Sequence, residues 1–518
     1  MVKQMKEETV MTLIYRELEG MDAYVESYSG AKQSDQVETA KKLTAAGYSE
    51  RARYNLGDGE IAVFEKGADI AMLSYYPSAE VLRLVTESNS GYLAYLKGAA
   101  RDNALRPRIH KTVFTQVDLE DYGISFVIRL PDGRFVIFDG GWEGHSDADR
   151  LMETLEKQCL TERPVIAAWI FTHPHIDHYR CYIKFAEKYK GRVDVERFIY
   201  NFPDPDPNDA RLPRMTHRDE YIHLGRLNAL VKESGADYIR AHTGEVFDFS
   251  GVKFEILSSP DDVFYTPVRE VNDHSLVIKM YAEGQSILIP ADAQFCNIDI
   301  AARLGEYLKS DILQVPHHFF TGGDIRTYDL IRPEVIIIPS TEELSFSFIS
   351  LYKENYRKIS EHLLYNVGVN ECFAGGDGNI VLTLPYKSPE GARERMYARI
   401  DECKRSVGAT SWYFDGITKE TAEFTFINSV WSDNTVHVDL LFEDAADNVA
   451  DIKFAVPARA FKRLNILTDE SVDPDNLISN TISLKKKGGV PEGKEFVVHI
   501  KAKYPIVVSG SKPAIYHS

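Results

Sequence analysis

A seven-residue stretch, Thr172-His173-Pro174-His175-Ile176-Asp177-His178, constrains this chain more than any other feature. Residues 173–178 hold three imidazoles and a carboxylate, directly after the apolar run 165–171, which is typical of a buried strand. Because Pro174 has no backbone N–H, the strand should end there and the polar side chains should fan out from a loop at a sheet edge. Imidazole and carboxylate together suit zinc, iron or manganese. The stretch therefore predicts a metal site at a strand end.

The same stretch resembles the histidine motif of the metallo-β-lactamase superfamily. In that superfamily the first two histidines bind one metal ion, and the aspartate and the last histidine bind a second. The resemblance implies that His173 and His175 hold site 1 and that Asp177 and His178 hold site 2. It also implies two divalent ions as cofactors, with zinc favoured and manganese or iron as alternatives.

A hairpin pattern before the motif ends in a further candidate. Alternating apolar stretches at 123–130 and 134–138 flank Pro131-Asp132-Gly133, a strong turn signal. Asp139 follows the second stretch and resembles the superfamily's first motif, whose aspartate orients the metal site without binding metal. A physical reason is that a metal-bound imidazole needs a fixed hydrogen-bond acceptor on its other nitrogen.

Candidate ligands also follow two later apolar strands. Asp292 ends the stretch 286–291, and His317-His318 follow the stretch 311–316. The resemblance implies that Asp292 bridges both ions and that one of the paired histidines completes site 2. Successive strand residues point to opposite sides, so the other histidine can donate to the substrate. We take His317 as the metal ligand and His318 as the catalytic donor, and leave the reverse assignment open.

The third histidine of site 1 has no clear motif. His274, 18 residues before Asp292, is the best-placed candidate, and His242 is the second. If neither binds, site 1 would hold His173, His175, Asp292 and solvent.

Length and patterning predict several domains, because 518 residues are too many for one core. We predict an N-terminal α+β accessory domain (1–107), a metallo-β-lactamase αββα sandwich (108–387), a linker helix (388–407) and a C-terminal β-sandwich domain (408–518). The fold class is α/β. Helices are expected at 147–158 and 181–189, and residues 81–87 are compatible with a helix or a strand.

Composition limits the partners. A formal net charge of −18 makes long nucleic acid a disfavoured partner, and no apolar run reaches membrane-spanning length. The first residues lack a signal-peptide pattern, so a cytoplasmic location is expected. The five cysteines never form Cys-x-x-Cys, which argues against a disulfide framework or a zinc ribbon. We expect a small anionic substrate and leave homo-oligomerisation open.

The passages Asn272-Asp273-His274-Ser275-Leu276-Val277 and Val315-Pro316-His317-His318 narrow the resemblance to one branch. They are similar to the hydrolase domain of competence-type DNA-uptake proteins and to phosphorylcholine esterases. That branch typically has His-His-Gly-Ser, whereas Phe319-Phe320-Thr321 follow here, which suggests an aromatic pocket wall, with Thr321 and the next glycine amides facing the oxyanion.

The resemblance implies a dinuclear hydrolase. Two cations about 3.5–4 Å apart would share Asp292, lower the pKa of a bridging water toward about 7, and let Asp177 orient the resulting hydroxide. Small phosphoesters or phosphodiesters are the expected substrates. The alternatives are hydrolysis of a carboxylic ester, thioester or lactam, and a diiron oxidoreductase on the same fold.

Overall fold

The structure is a computed structural model that describes most of the chain. The described residues are 12–16, 23–120, 123–143, 146–202, 219–260, 271–294, 296–319, 323–341, 354–376, 378–406, 409–428, 433–444, 448–457, 460–468 and 493–517. They fall into two compact units. The first is Met1–Ser340 with His362–Glu390, and the second is Thr341–Glu361 with Gly391–Ser518.

An antiparallel sheet forms the beginning of the first unit. Its strands, in sheet order, are Thr12–Arg16, Ala23–Ser29, Val81–Glu87, Asp69–Tyr76, Gly59–Lys66 and Ser49–Leu56. The segment that was compatible with a helix or a strand, Val81–Glu87, is therefore a strand. Helix Gln33–Ala45 packs on this sheet, with Leu43, Phe64 and Leu73 in the shared core.

Helix Gly91–Leu105 joins this sheet to the rest of the unit. The Tyr92 hydroxyl accepts a hydrogen bond from the backbone N–H of Val246 at 3.0 Å, and the Tyr95 hydroxyl accepts one from Asp248 at 2.6 Å. Both hydrogen bonds come from backbone N–H groups of the edge strand Val246–Phe249. An edge strand would otherwise leave such groups without partners. The predicted boundary at residue 107 falls in the irregular stretch after this helix.

Two sheets pack face to face in the middle of the first unit. The strands of the first sheet, in order, are Asp237–Arg240, Arg197–Tyr200, Val165–Ile170, Phe135–Asp139, Ser125–Arg129, Val113–Gln116 and Ile380–Thr383, and Asp194–Val195 pairs with Val165–Ile170. Those of the second are Val246–Phe249, Val252–Ser258, Val277–Ala282, Gln285–Ile289, Ile312–Gln314, Val335–Thr341 and Glu371–Gly375. Phe138 and Phe254, one from each sheet, lie 6.0 Å apart between ring centroids.

Helices cover the outer faces of these sheets. Asp147–Gln158, Ile176–Lys188 and Asp219–Ser234 bury an aromatic-rich core that includes Trp169 and Phe185. Further described helices are Cys296–Leu304, Ile325–Ile331 and Glu354–Tyr365, the last of which belongs to the first unit only from His362. This arrangement confirms the predicted αββα sandwich, and the first helix matches its predicted bounds. Among the described helices, none has the length and apolar character needed to cross a bilayer.

Parallel strands explain why distant residues meet. Phe135–Asp139 and Val165–Ile170 are parallel and in register, with Phe138 opposite Ile170, so Asp139 and the histidine motif leave the same edge of the first sheet. In the second sheet, Gln285–Ile289 and Ile312–Gln314 are parallel, so Asp292 follows one and His318 the other. Ligands of open α/β sheets bind at such carboxyl ends.

The second unit is a helix followed by β-structure. Helix Ala392–Ser406 lies in the predicted linker. One sheet contains Val449–Val456, Asn434–Leu441, Phe496–Ala502, Ser411–Ile417 and Tyr516–His517, and the other contains Ala460–Asn465, Glu423–Asn428 and Val507–Gly510. Trp412 and Val498 of one sheet share a core with Phe424 and Phe426 of the other, which confirms the predicted C-terminal sandwich.

Candidate metal centre

The histidine motif is half loop and half helix. Strand Val165–Ile170 ends as predicted, but helix Ile176–Lys188 begins inside the motif, five residues before the expected start at Cys181. The expectation of a loop up to His178 was therefore wrong. The reason is that His175 adopts the extended backbone of an N-cap, and Asp177 in the first helical turn interacts favourably with the helix dipole. Asp177 and His178 are thus held by helical backbone.

Four side chains from three parts of the chain form what we call the four-donor group: Asp177, His178, Asp292 and His318. One ligand atom from each lies within 4.8 Å of the others, and all four residues are buried. Nε2 of His318 is 3.1 Å from Oδ2 of Asp177 and 3.2 Å from Oδ2 of Asp292, while Nε2 of His178 is 3.3 Å from Oδ2 of Asp292. This spacing of nitrogen and oxygen atoms fits a divalent cation.

Asp292 also belongs to what we call the three-donor group, with His173 and His175. Nε2 of His173 lies 3.8 Å from Oδ2 of Asp292 and 3.0 Å from Nδ1 of His175. His173 is buried, whereas His175 is partly exposed. Among the described residues these two groups share a single carboxylate, which is the arrangement expected of a bridged pair of ions.

The buried polar atoms support the fit to cations. Nε2 of His178 and Oδ1 of Asp292 are buried and make no hydrogen bond to any part of the chain that the structure describes. Burying such atoms without a partner costs about 1–3 kcal/mol each, and more when they are charged. A bound metal would remove this penalty, so the donor set is suited to a metal and poorly suited to an empty core.

The pKa values of the histidines shift in opposite directions in the two groups. Burial alone would lower the pKa of His178, but Asp292, Asp177 and Asp139 raise it well above its ordinary value. Against the same effect of burial, Asp292 and Asp177 raise the pKa of His318 to about 9. In the three-donor group, burial lowers the pKa of His173 and of His175.

Asp139 orients the four-donor group. Its Oδ2 lies 2.8 Å from Nδ1 of His178 and accepts a hydrogen bond from the Thr172 hydroxyl at 2.6 Å, while Oδ1 accepts one from the Thr172 N–H at 2.7 Å. The residue is fully buried and has a left-handed backbone, with φ of 52°, a conformation that costs on the order of 1 kcal/mol or more. These contacts fix the His178 ring so that Nε2 faces Asp292.

Thr172 also contacts the histidines of the site, which the sequence analysis did not predict. Besides its two bonds to Asp139, its hydroxyl lies 3.2 Å from Nδ1 of His173 and 3.5 Å from Nδ1 of His178. It therefore contacts one imidazole from each donor group. The only available signal was its position directly before the first histidine.

The paired histidines do not alternate as strand residues. Pro316 ends the ladder, and His317, His318 and Phe319 all have a left-handed backbone, with φ of 49°, 52° and 69°. The turn directs Nδ1 of His318 to the carbonyl oxygen of Pro339 at 3.0 Å, which leaves Nε2 facing both aspartates. His318 thus lies in the four-donor group and His317 does not, so this geometry favours the reverse of the initial assignment.

The candidates for a third histidine of site 1 lie outside both groups. His274 is buried in the 3-10 turn Val271–His274, where burial lowers its pKa to about 4. His242 is also buried, in a turn closed by a hydrogen bond from the Glu245 N–H to its carbonyl oxygen. Among the described residues, the three-donor group therefore contains no third histidine.

Part of the expected pocket wall lies outside the described residues: Phe320, Thr321 and Gly322. Cys181 is described. It is buried beside Gly140, and burial raises the pKa of its thiol well above the usual value, as expected of a structural cysteine.

In a comparison with known protein families, residues 120–338 match the family model described as the metallo-beta-lactamase superfamily. The matched range contains every residue of both donor groups. The chain therefore contains a metallo-β-lactamase superfamily domain. The superfamily consists in general of metal-dependent hydrolases, so this domain combines a metal-dependent-hydrolase-like fold with a candidate metal site.

Solved structures similar to the chain were also found. A putative metal-dependent hydrolase from Parabacteroides distasonis is 12% identical, covers 61% of this chain and 97% of its own, and has a TM-score of 0.27. Unliganded yeast PDE1 is 10% identical, covers 53% of this chain and 100% of its own, and has a TM-score of 0.31. The Anabaena sensory rhodopsin transducer is 22% identical over 20% of this chain and 98% of its own, with a TM-score of 0.16. No curated protein sequence matches the chain.

Proposed function

We propose that the protein is a dinuclear metal-dependent hydrolase of a small phosphoester or phosphodiester. The observation that carries this proposal is that Asp292 is shared by the four-donor and three-donor groups. A carboxylate between two cation sites is suited to holding a pair of ions against one substrate. Two bound divalent ions would supply a water of lowered pKa and positive charge for the attacking and leaving oxygens.

The chain's own residues would prepare the site for this chemistry. Asp139 and Thr172 hold the His178 ring, and the carbonyl oxygen of Pro339 holds the His318 ring, so both Nε2 atoms face the same space. Burial would raise the pKa of Asp177, but His178 and His318 keep it below the ordinary value. Asp177 therefore stays ionised, and its carboxylate can accept a hydrogen bond from the nucleophile and orient it.

The choice of phosphorus over carbon rests on two arguments. Adjacent cation sites that share a carboxylate suit in-line displacement at tetrahedral phosphorus. In addition, Asn272–Val277 and Val315–His318 resemble the competence-type hydrolase and phosphorylcholine esterase branch, whose substrates include phosphoesters. The first argument comes from geometry and the second from analogy, since a fold by itself does not determine the substrate.

The test combines metal analysis with a substrate panel. The protein is stripped with a chelator and reloaded with zinc, manganese or iron. It is then assayed on bis(p-nitrophenyl) phosphate, p-nitrophenyl phosphate, p-nitrophenyl acetate, a thioester and a chromogenic lactam. We expect about two ions per chain and metal-dependent release of nitrophenol from a phosphoester.

Other outcomes would replace the proposal. Turnover of the acetate, thioester or lactam without phosphoester turnover would favour hydrolysis at carbon. Iron retained after anaerobic purification, together with dioxygen consumption, would favour a diiron oxidoreductase.

A further inference from the structure

The 3-10 turn Val271–His274 packs directly against the candidate metal centre. Just after this turn, the N–H of Leu276 donates to the carbonyl oxygen of Thr172 at 2.9 Å. The hydroxyl of Ser275 accepts a hydrogen bond from the N–H of Asp292 at 3.2 Å. The turn is thereby fixed between the histidine motif and the strand end that carries the shared aspartate.

His317 connects this turn to the loop after Asp292. Its Nε2 lies 3.5 Å from Nδ2 of Asn272, and its Nδ1 lies 3.0 Å from Nε2 of Gln294. A neutral imidazole has one donor and one acceptor. Two amide nitrogens cannot both donate to such a ring, so one amide must present its oxygen instead. In either orientation the Asn272 amide contacts His317 with one end only.

Two buried polar atoms of the turn have no hydrogen-bond partner among the described residues. These are Oδ1 of Asn272, in a side chain 5% exposed, and Nδ1 of His274, which is 6% exposed. The hydrogen bond from Leu276 to Thr172 places the end of this turn next to His173 of the three-donor group. Polar atoms this deeply buried are normally satisfied. Both therefore point to a ligand that supplies the missing partners.

We propose that Asn272 and His274 bind the uncharged polar part of the substrate, its hydroxyl or amide groups, beside the three-donor group. This inference rests on the proposed phosphoesterase function and names the substrate class as phosphodiesters of a polyol or amido alcohol. Neutral amide and imidazole groups match hydroxyl and amide partners. Recognition of a second phosphate would instead call for arginine or lysine.

A matched pair of substrates isolates this contribution. Glyceryl p-nitrophenyl phosphate and propyl p-nitrophenyl phosphate differ in the two hydroxyls of the alcohol and share the same leaving group. Turnover is counted as the open-chain alkyl phosphate formed by hydrolysis, because the 2-hydroxyl of the glyceryl ester can also expel nitrophenolate and form a cyclic phosphate. Loss of a hydrogen bond to a buried polar group is worth roughly tenfold or more in kcat/KM. We expect the zinc-loaded wild type to prefer the glyceryl ester by about 10–100-fold. We expect Asn272→Leu and His274→Phe each to reduce that preference about tenfold, with little change on the propyl ester.

Asn103 provides the control. Its amide is paired at both ends, with Nδ2 donating to the carbonyl oxygen of Asp248 at 2.9 Å and Oδ1 accepting from the Ser250 N–H at 2.9 Å. Asn103→Leu should lower the melting temperature and leave the glyceryl preference intact. Asn272→Leu should lower the melting temperature less than Asn103→Leu does, because it removes one long contact with His317 and one unpartnered oxygen, whereas Asn103→Leu removes hydrogen bonds at both ends. Melting temperature is thus a readout that does not depend on activity.

The outcomes distinguish this inference from the proposed function. If the metal-loaded wild type cleaves neither diester, the phosphoesterase proposal fails. If it cleaves both at equal rates, or if the glyceryl preference survives both Asn272→Leu and His274→Phe, the substrate-class inference alone is overturned. A large fall in the melting temperature of Asn272→Leu would also overturn it, since that would show the amide to be satisfied within the protein.

Discussion

The four-donor and three-donor groups share Asp292 but differ in charge and enclosure. The four-donor group is fully buried, contains two carboxylates, and has one imidazole oriented by Asp139 and the other by the Pro339 carbonyl oxygen. The three-donor group has two imidazoles whose pKa values are lowered, and His175 reaches solvent. One group is thus enclosed and contributes two carboxylates to an ion, while the other is more open and contributes one. We expect the first to retain its ion tightly and the second to exchange ions and admit the substrate.

The shared carboxylate gives the largest expected effect. Asp292→Asn should weaken both groups together and reduce activity by about 10³-fold, because the metals supply several kcal/mol of transition-state stabilisation. Metal content by mass spectrometry should fall at both sites. Asp311→Asn is the control, since Asp311 accepts hydrogen bonds from the Ser286 N–H and hydroxyl and belongs to neither donor group. Loss of one ion only in Asp292→Asn would show that the carboxylate is not shared.

Removal of one histidine from each group should have unequal effects on stability. In the metal-free protein, His178→Ala would leave Asp139 and Asp292 buried without their cationic partner, at a cost of about 3–5 kcal/mol. His175→Ala removes a partly exposed ring whose Nδ1 faces His173, at about 1 kcal/mol. Urea unfolding of the chelator-treated variants would measure both values. Equal losses would contradict the contrast in enclosure.

The two groups should also respond oppositely to pH in the metal-free protein. His318 has a pKa of about 9 when folded, against about 6.5 in an unfolded chain, so its contribution is complete below pH 6.5 and is lost as the pH rises through 9. His173 and His175 have lowered pKa values, so the unfolded state binds more protons and stability rises as the pH approaches about 6.5.

The free energy of unfolding should therefore be highest near pH 7 and fall toward pH 10, because the pKa of His178 is raised as well. Denaturant titrations across this range would show it. His318→Gln should reduce the alkaline fall, leave the part that His178 contributes, and leave the acidic side unchanged. An alkaline fall of unchanged size in this variant would show that His318 does not contribute to it.

The smallest effect should come from the residue that orients a ligand without belonging to either group. Asp139→Asn retains the shape of the side chain but removes the charge next to Nδ1 of His178, so affinity at the four-donor group should drop about 10–100-fold. Affinity at the three-donor group should stay within about twofold. Competition with a coloured chelator resolves the two sites. Asp118→Asn is a suitable control, because that aspartate pairs with Arg150. Equal weakening at both sites would show that Asp139 does not act through His178.

Four residues of the candidate metal centre were predictable because they lie close together in the sequence. His173, His175, Asp177 and His178 lie within six residues after a buried strand, and such spacing specifies a cluster without knowledge of the tertiary fold. Asp292 was predictable for a related reason, since apolar parallel strands end at a common edge.

Other features depend on contacts that spacing does not encode. The left-handed turn of His317, His318 and Phe319 runs against the backbone preference of non-glycine residues and depends on Pro316 and the Pro339 carbonyl oxygen. Its position after a strand therefore left the choice between His317 and His318 open. The helix start at Ile176 was missed because a motif rich in potential ligands resembles a loop in sequence. For His274, the distance along the chain to Asp292 said nothing about the direction of its ring.

The most direct test is a crystal structure of the metal-loaded protein with anomalous diffraction at the metal absorption edge. The account predicts two anomalous peaks about 3.5–4 Å apart on either side of the Asp292 carboxylate. One peak should contact His178 and His318, and the other His173 and His175. A single peak, or two peaks of which only one contacts Asp292, would contradict the shared-carboxylate centre.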